Sequence, residues 1–206
     1  LILHTFADIV KYTYFILLFM KMSWIETLVV NSRVSDIWRK WSLRRVMREV
    51  QDVKGQVLEI GCGKGTTTKI IAAKLPSARI VATDFDDAQI LTAKCHATSR
   101  IIFRQADASA LLFKNNTFAV GFAFLTFHHV PNWKKALCEA HRVLKPHSRL
   151  YLEELALKPF PLFKHLFMHA PSVFTKQDFF AELQKVGFRV EKFGGGYKFW
   201  IVAGKK

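Results

Sequence analysis

The sequence predicts an α/β fold in which a doubly wound parallel sheet is covered by crossover helices. Short apolar, β-favouring runs alternate with helical segments from residue 56 to residue 154, which is typical of parallel sheets with right-handed crossovers. A glycine-rich turn follows the first predicted strand, and three of the strands end in a carboxylate. Because ligands bind such sheets at the carboxyl ends of the strands, these observations also predict where the site lies.

The individual elements follow from hydrophobic periodicity and from turn residues. Strands are predicted at 56–60, 79–83, 101–105, 118–124 and 149–154, and helices at 66–75, 86–97 and 132–143. A further helix is predicted at 175–186, with Thr175 as its N-cap candidate. Two last strands are predicted at 188–193 and 197–203, joined by a hairpin turn of Gly194, Gly195 and Gly196.

The glycine-rich turn is the most informative stretch of the chain. The first strand runs directly into Gly61, Gly63 and Gly65 and then into the predicted helix at 66–75. Glycine permits positive φ and close approach of a ligand to the main chain, and the free N–H groups at a helix start suit a polar or anionic group. The spacing excludes a phosphate-binding Walker loop, and it differs from a dinucleotide-binding turn because Thr66 takes the place of the third glycine.

Three consecutive strands end in an acidic residue, namely Glu59, Asp84 and Asp107. Asp84 lies nineteen positions after Gly65. An acid at the end of the second strand, about twenty residues beyond the glycine turn, accepts hydrogen bonds from ribose hydroxyls in nucleoside-binding folds. The ordered set therefore predicts a ligand that contains a nucleoside.

The pattern E-x-G-x-G-x-G from Glu59 to Gly65 resembles motif I of the class I S-adenosylmethionine-dependent methyltransferases. The resemblance extends over roughly residues 53–203, and it is closest to small-molecule members of type 11/25. It implies a Rossmann-like, seven-stranded sheet that an antiparallel C-terminal hairpin completes. Residues 141–146 match the helix end and turn that precede strand five in this family.

The resemblance also implies S-adenosyl-L-methionine as the cofactor and assigns a set of contacts to it. In the family, the first acid holds the methionine amino group, the second takes the ribose hydroxyls, and the third reads the adenine edge with the next amide. The backbone of the glycine turn cradles the methionyl and ribose portions, and the residue after the second acid stacks on adenine. The implied residues are Glu59, Gly61, Cys62, Gly63, Gly65, Asp84, Phe85, Asp107, Ala108 and Phe124.

Candidate catalytic residues follow strands four and five. The segment 125–131 contains His128 and His129 and resembles the histidine-bearing segment after strand four in small-molecule methyltransferases. Either histidine has a structural alternative as a packing or capping residue. Strand five ends in Glu153 and Glu154, which must point to opposite faces, so that only one faces the site. We take Glu153 as the third candidate.

Composition bounds the possible partners. The chain has 206 residues, enough for one α/β domain, and its net charge of +15 predicts attraction to an anionic membrane surface or to nucleic acid. The three cysteines form no C-x-x-C pair, which favours a reducing cytoplasmic compartment over a disulfide framework or a zinc site. His165 and His169 lie one helical turn apart, but no ligand motif accompanies them, and no metal is predicted.

The first fifty residues are predicted to form a helical extension, with the methyltransferase domain at 51–206. Residues 4–30 form a mostly apolar helix with one narrow charged stripe, which could pack on the chain itself, on a second subunit of a homodimer, or in a membrane interface. Trp38 and Trp41 stand among basic residues, which suits lipid headgroups or a phosphate backbone. The alternative is an ordinary amphipathic helix that covers the ligand pocket.

Residues 157–174 are rich in Phe and are predicted to form a lid over an apolar substrate. The function indicated is methyl transfer to an apolar or lipid-like small molecule at a peripheral membrane position on the inner face. A nucleic-acid methyltransferase is one alternative, although residues 124–127 do not form the N/D-P-P-Y/W-type motif. A non-catalytic S-adenosylmethionine-binding protein is the other.

Overall fold

Seven strands form one sheet in the computed structural model, which describes residues 43–50, 53–156, 174–196 and 198–206. The elements in chain order are β1 (Gly55–Ile60), α1 (Thr66–Lys74), β2 (Ala78–Asp84), α2 (Asp87–Ala93), β3 (Ile101–Gln105), β4 (Phe118–Phe124), α3 (Trp133–Val143), β5 (Leu144–Leu155), α4 (Lys176–Val186), β6 (Phe188–Gly195) and β7 (Lys198–Lys205). Short 3-10 turns stand at Lys94–His96 and Phe127–His129.

The strand order is β3-β2-β1-β4-β5-β7-β6. The first five strands are parallel, and β7 runs antiparallel between β5 and β6. Chain order reverses direction between β1 and β4, which makes this the switch point at which such sheets bind ligands. The predicted doubly wound sheet with an antiparallel C-terminal hairpin is confirmed.

Both faces of the sheet are buried. Alternate residues of a strand point to opposite faces, so Leu58 and Leu152 join a core cluster with α3 and α4, while Val57 and Tyr151 join a second cluster on the other face. The central strands therefore read as nearly continuous apolar runs, as is expected for parallel strands covered on both sides.

Residues 43–49 are helical and cover the second face. Their buried side chains belong to the same cluster as Val57, and the hydroxyl of Tyr151 donates a 3.1 Å hydrogen bond to the carbonyl of Glu49. The buried residues of the segment are Leu43, Val46, Met47 and Val50, and the exposed basic residues are Arg44, Arg45 and Arg48. These residues form an amphipathic cover. Trp38, Trp41 and the predicted helix at 4–30 lie outside the described residues.

Three differences from the predicted boundaries have a clear structural basis. β5 begins at Leu144 rather than at 149, because Leu144 already pairs with Phe118 ahead of an irregular stretch. The helix predicted at 86–97 ends at Ala93 and passes into a 3-10 turn. Gly194 and Gly195 belong to β6 rather than to the turn. A Cβ at Gly194 would come within 2.7 Å of the Trp200 indole, so glycine leaves room for that ring.

No helix among the described residues is long and apolar enough to cross a membrane. The stretch predicted as a lid lies outside the described residues except for Phe174. His165 and His169 also lie outside them. The division of the chain at residue 50 stays a prediction.

Candidate active site

The glycine turn is fixed to the second strand by backbone hydrogen bonds. The N–H groups of Gly61 and Cys62 both donate to the carbonyl of Thr83, at 2.7 and 2.9 Å. Gly61 has φ +74°, and a Cβ there would overlap the side chain of Thr126, whose hydroxyl donates to the Ile60 carbonyl at 3.0 Å. Gly61 is therefore a packing requirement where β1 meets the end of β4.

Gly63 differs from Gly61 because the space beside it is open. Its φ is +51°, and the nearest atom to a Cβ built there is Oε1 of Gln89 at 3.9 Å. Its N–H donates to Oδ2 of Asp84 at 2.8 Å, and the N–H of Asp86 donates to Oδ1 at 2.9 Å. An open glycine beside an oriented carboxylate fits the ribose portion of S-adenosylmethionine, which needs close backbone approach and a hydrogen-bond acceptor.

Burial shifts the ionisation of two groups in this turn. It raises the pKa of the Asp84 carboxyl, while the N–H groups of Asp86 and Gly63 act in the opposite direction. Burial also raises the pKa of the Cys62 thiol, and the Glu59 and Asp84 carboxylates add to the effect. Cys62 therefore stays a neutral thiol that packs within the turn.

Glu59 is buried and binds the start of α1. Its carboxylate accepts hydrogen bonds from the hydroxyls of Thr67 and Thr68, the latter at 2.5 Å, and its carbonyl accepts one from the Thr83 hydroxyl at 2.9 Å. The two threonines were not singled out from the sequence, although their position directly after the glycines is a usable signal. The role of Glu59 toward the methionine amino group stays a prediction.

The third acid lies beside the second at the sheet edge. The N–H of Ala106 donates to the Asp84 carbonyl at 2.9 Å, which brings the ends of β2 and β3 together. Oδ1 of Asp107 accepts from the N–H and the hydroxyl of Ser109, at 2.7 and 2.9 Å. Phe85 is half-buried, whereas Ala108 is buried. The adenine contacts implied for these residues are compatible with this placement and stay predictions.

A buried pair joins the ends of β4 and β5. The Nδ1 atom of His128 lies 2.9 Å from Oε1 of Glu154, and the backbone N–H of His128 donates to Oε2 at 2.9 Å. The side chains are 2% and 0% exposed. Burial raises the pKa of Glu154 to about 8, so this carboxyl holds a proton into the neutral range. His129 is more exposed, and its ring centroid lies 4.1 Å from that of His128.

Glu153 points to the opposite face. Its Oε1 atom lies 2.8 Å from Nζ of Lys198, in a largely buried ion pair. Phe124 pairs with Glu153 in the β4–β5 register and is also buried. The structure therefore brings Glu154, rather than Glu153, together with His128. A catalytic role of His128, His129 or Glu153 stays a prediction.

Aromatic rings pack around the N-terminal end of α3, which comes shortly after the two histidines in the chain. Trp133 lies 4.8 Å from Phe174 and 5.5 Å from Phe179, measured between ring centroids, and Phe127 lies 5.6 Å from Phe179. Ala156 and Phe174, which flank the predicted lid, are both buried in this cluster. Both flanks of that segment are thus anchored at the carboxyl edge of the sheet.

Comparison with known proteins agrees with this geometry. Residues 58–152 match a family model described as a methyltransferase domain. The demethylmenaquinone methyltransferase of Lactococcus lactis is 28% identical over 145 residues, which cover 68% of this chain and 56% of that protein. That of Thermus thermophilus is 32% identical over 124 residues, which cover 58% of this chain and 56% of that protein. The chain thus spans little more than half the length of these relatives.

A solved structure shares the fold. Geranyl diphosphate C-methyltransferase from Streptomyces coelicolor, solved with Mg²⁺, geranyl diphosphate and S-adenosyl-L-homocysteine, superimposes with a TM-score of 0.70 at 10% identity. The match covers 82% of this chain and 79% of that one. The fold and the matched domain are those of the class I S-adenosylmethionine-dependent methyltransferases. The matched domain supports the predicted enzyme class and its cofactor, S-adenosyl-L-methionine.

Proposed function

We propose that the protein transfers the methyl group of S-adenosylmethionine to an apolar, quinone-like small molecule. The open turn at Gly63 beside Asp84 carries the proposal, because it leaves room for the cofactor at the switch point of the sheet. The substrate class is supported by two relatives named as demethylmenaquinone methyltransferases. It is also supported by the Phe-rich segment whose flanks, Ala156 and Phe174, are anchored at the same edge.

The chemistry divides between the cofactor and the chain. The bound cofactor supplies an electrophilic sulfonium methyl group. The chain aligns the nucleophile with it and excludes water, and a base is needed only if the nucleophile keeps its proton at the working pH. His129 is the more exposed imidazole and can take that proton at a ring nitrogen. His128, held by Glu154, packs against His129 and fixes the position of its ring.

Turnover tests the proposal. The full chain is incubated with methyl-labelled S-adenosylmethionine and a short-chain demethylated quinol, with transfer RNA, or with buffer. We expect label in the quinol only, and much less of it with an Asp84→Ala variant at the same cofactor concentration. Label in RNA would favour the nucleic-acid alternative, and cofactor binding without any labelled product would favour a non-catalytic binding protein.

We also propose that the enzyme works in the cytoplasm at an anionic membrane surface. Arg44, Arg45 and Arg48 form an exposed basic face on the helical segment that covers the sheet. Basic residues near an anionic leaflet contribute about 1 kcal/mol each, so three would give reversible, salt-sensitive attachment. An apolar substrate dissolved in the bilayer would then be within reach of the site.

Vesicle sedimentation tests this location. Full-length protein should pellet with vesicles that contain phosphatidylserine, less so at high salt, and a triple Arg44→Glu, Arg45→Glu, Arg48→Glu variant should stay in solution. The matched control replaces three exposed lysines near the amino ends of β2, β4 and β5 with Glu, namely Lys74, Lys114 and Lys145. If both triple variants lose vesicle binding equally, the net charge of the protein, and not the position of these arginines, accounts for binding. If the full-length protein is a dimer that does not bind vesicles, and a variant lacking residues 1–30 is a monomer, the homodimer interpretation of this segment is favoured.

A further inference from the structure

The side-chain oxygen of Gln89 is a buried hydrogen-bond acceptor that the described chain leaves unused. Gln89 lies in α2 and is 4% exposed. Its Oε1 atom accepts no hydrogen bond from any described residue. A buried acceptor without a donor costs stability, and native proteins contain few of them. The position of the Gln89 oxygen indicates which kind of ligand group could donate a hydrogen bond to it.

Oε1 of Gln89 lies beside the open side of the glycine turn. It is the nearest atom to the Cβ position of Gly63, at 3.9 Å. The N–H of the same glycine donates to Asp84. Gly63 is therefore flanked by two side chains with acceptor oxygens, one bonded to its backbone and the other next to its Cβ position.

The two acceptors match the two donors of a ribose. A ribose carries neighbouring 2′ and 3′ hydroxyl groups, each with one proton to donate. Both oxygens of Asp84 already accept a backbone N–H, from Gly63 and from Asp86. Each oxygen keeps capacity for a further bond, but a second acceptor beside Gly63 allows each hydroxyl its own partner. No nearby group of the described chain competes for the Gln89 oxygen.

We propose that Gln89 is a further cofactor-binding residue, whose Oε1 atom accepts a hydrogen bond from a ribose hydroxyl of S-adenosylmethionine next to Asp84. This inference rests on the cofactor assignment above. Gln89 then has opposite effects in the two states of the protein: without cofactor its buried oxygen destabilises the fold, and with cofactor it stabilises the complex.

Calorimetry and thermal unfolding test the assignment with S-adenosyl-L-homocysteine as the probe. Gln89→Met keeps the length and shape of the side chain and removes the acceptor. We expect its dissociation constant to rise about 5- to 15-fold, while the melting temperature without cofactor is equal to or above that of the wild type. Gln89→Asn keeps the amide group on a side chain that is one carbon shorter, and it should also weaken binding. Gln184→Met, at an exposed position of α4, is the control and should change neither quantity.

Probes that lack one hydroxyl identify the donor. Two analogues of S-adenosylhomocysteine are compared, the 2′-deoxy and the 3′-deoxy form. With the one that lacks the donating hydroxyl, the difference in dissociation constant between wild type and Gln89→Met should shrink to less than about twofold. Gln89→Met that binds the cofactor as tightly as wild type, or that melts earlier with unchanged affinity, would overturn the inference and leave the cofactor assignment intact. A wild-type protein that binds no S-adenosylhomocysteine would overturn both.

Discussion

The cofactor half of the site, at the ends of β1 to β3, and the histidine half, at the ends of β4 and β5, handle their acidic groups differently. In the cofactor half, Asp84 is oriented by two backbone N–H groups, and the neighbouring Gly63 stays open. In the histidine half, Glu154 is fully enclosed and holds His128 through both of its oxygens. Asp84 thus presents acceptor oxygens to a ligand, whereas Glu154 uses its oxygens inside the protein.

The Asp84 region should therefore serve ligand binding, whereas the Glu154–His128 pair should serve the stability of the fold. Substitutions around Gly63 should change ligand affinity more than stability, because the space they fill belongs to the ligand. Substitutions at the Glu154–His128 pair should change stability and its pH dependence first, because both side chains lie in the core. Four sets of variants test this difference, and they follow in decreasing order of expected effect.

The two glycines of the turn should give the largest contrast. Gly63→Val fills the open side of the turn and should weaken S-adenosylhomocysteine binding more than about 100-fold, at a stability cost of about 1–2 kcal/mol for the left-handed backbone. Gly61→Val overlaps Thr126 and should cost more than about 3 kcal/mol. Calorimetry and urea unfolding measure both. Normal cofactor affinity in the folded fraction of Gly63→Val would mean that this glycine is structural.

Asp84 should account for the next largest effect. Asp84→Ala removes the carboxylate that faces the ribose site and should weaken cofactor binding about 30- to 100-fold, since hydrogen bonds to charged groups contribute about 1.5–3 kcal/mol. Asp87→Ala, at an exposed residue of the same loop and helix start, is the matched control. NAD should bind neither the wild type nor the variants. Unchanged affinity in Asp84→Ala, or tight NAD binding, would contradict the nucleoside assignment.

Glu154 should control the pH dependence of stability. Its folded-state pKa of about 8 lies above that of an unfolded glutamate, about 4.3. The folded protein thus keeps a proton that the unfolded chain releases, and stability is full at low pH and falls as pH rises from about 4.5 to 8. Glu154→Gln mimics the protonated acid and should remove most of this loss between pH 5 and 8.

Urea unfolding at several pH values measures that slope. Glu139→Gln is the control, because hydrogen bonding to Arg142 lowers the pKa of Glu139 and so moves its titration away from this window. Its profile between pH 5 and 8 should match the wild type. A Glu154→Gln profile with the wild-type slope would show that Glu154 is ionised throughout the range.

The Lys198–Glu153 pair should give the smallest effect. Lys198→Met leaves Glu153 buried without its cation and should cost about 1–2 kcal/mol, less than for a fully buried pair because Lys198 is partly exposed. Adding Glu153→Gln should recover most of that loss, and cofactor affinity should not change. Abolished turnover in Glu153→Gln, with stability and cofactor binding intact, would instead assign Glu153 to catalysis.

Much of the cofactor half could be predicted because its signals are local. The glycines mark backbone positions with φ > 0, and each acid marks the end of a strand whose apolar run is visible in the sequence. The choice between Glu153 and Glu154 could not be made in the same way. β5 is buried on both faces, so its hydrophobic pattern does not tell which face carries α3 and His128.

The α/β class, the positions of the strands along the chain, the acids at three strand ends and the family of the cofactor were predictable from the sequence. Each of these depends on short-range periodicity, turn chemistry or a contiguous motif. The tertiary structure alone decided that Thr126 packs on Gly61, that His128 meets Glu154, and that Gln89 faces Gly63. These contacts join elements that are separate in the chain, and their partners are set by strand register and helix packing, which a single sequence does not encode locally.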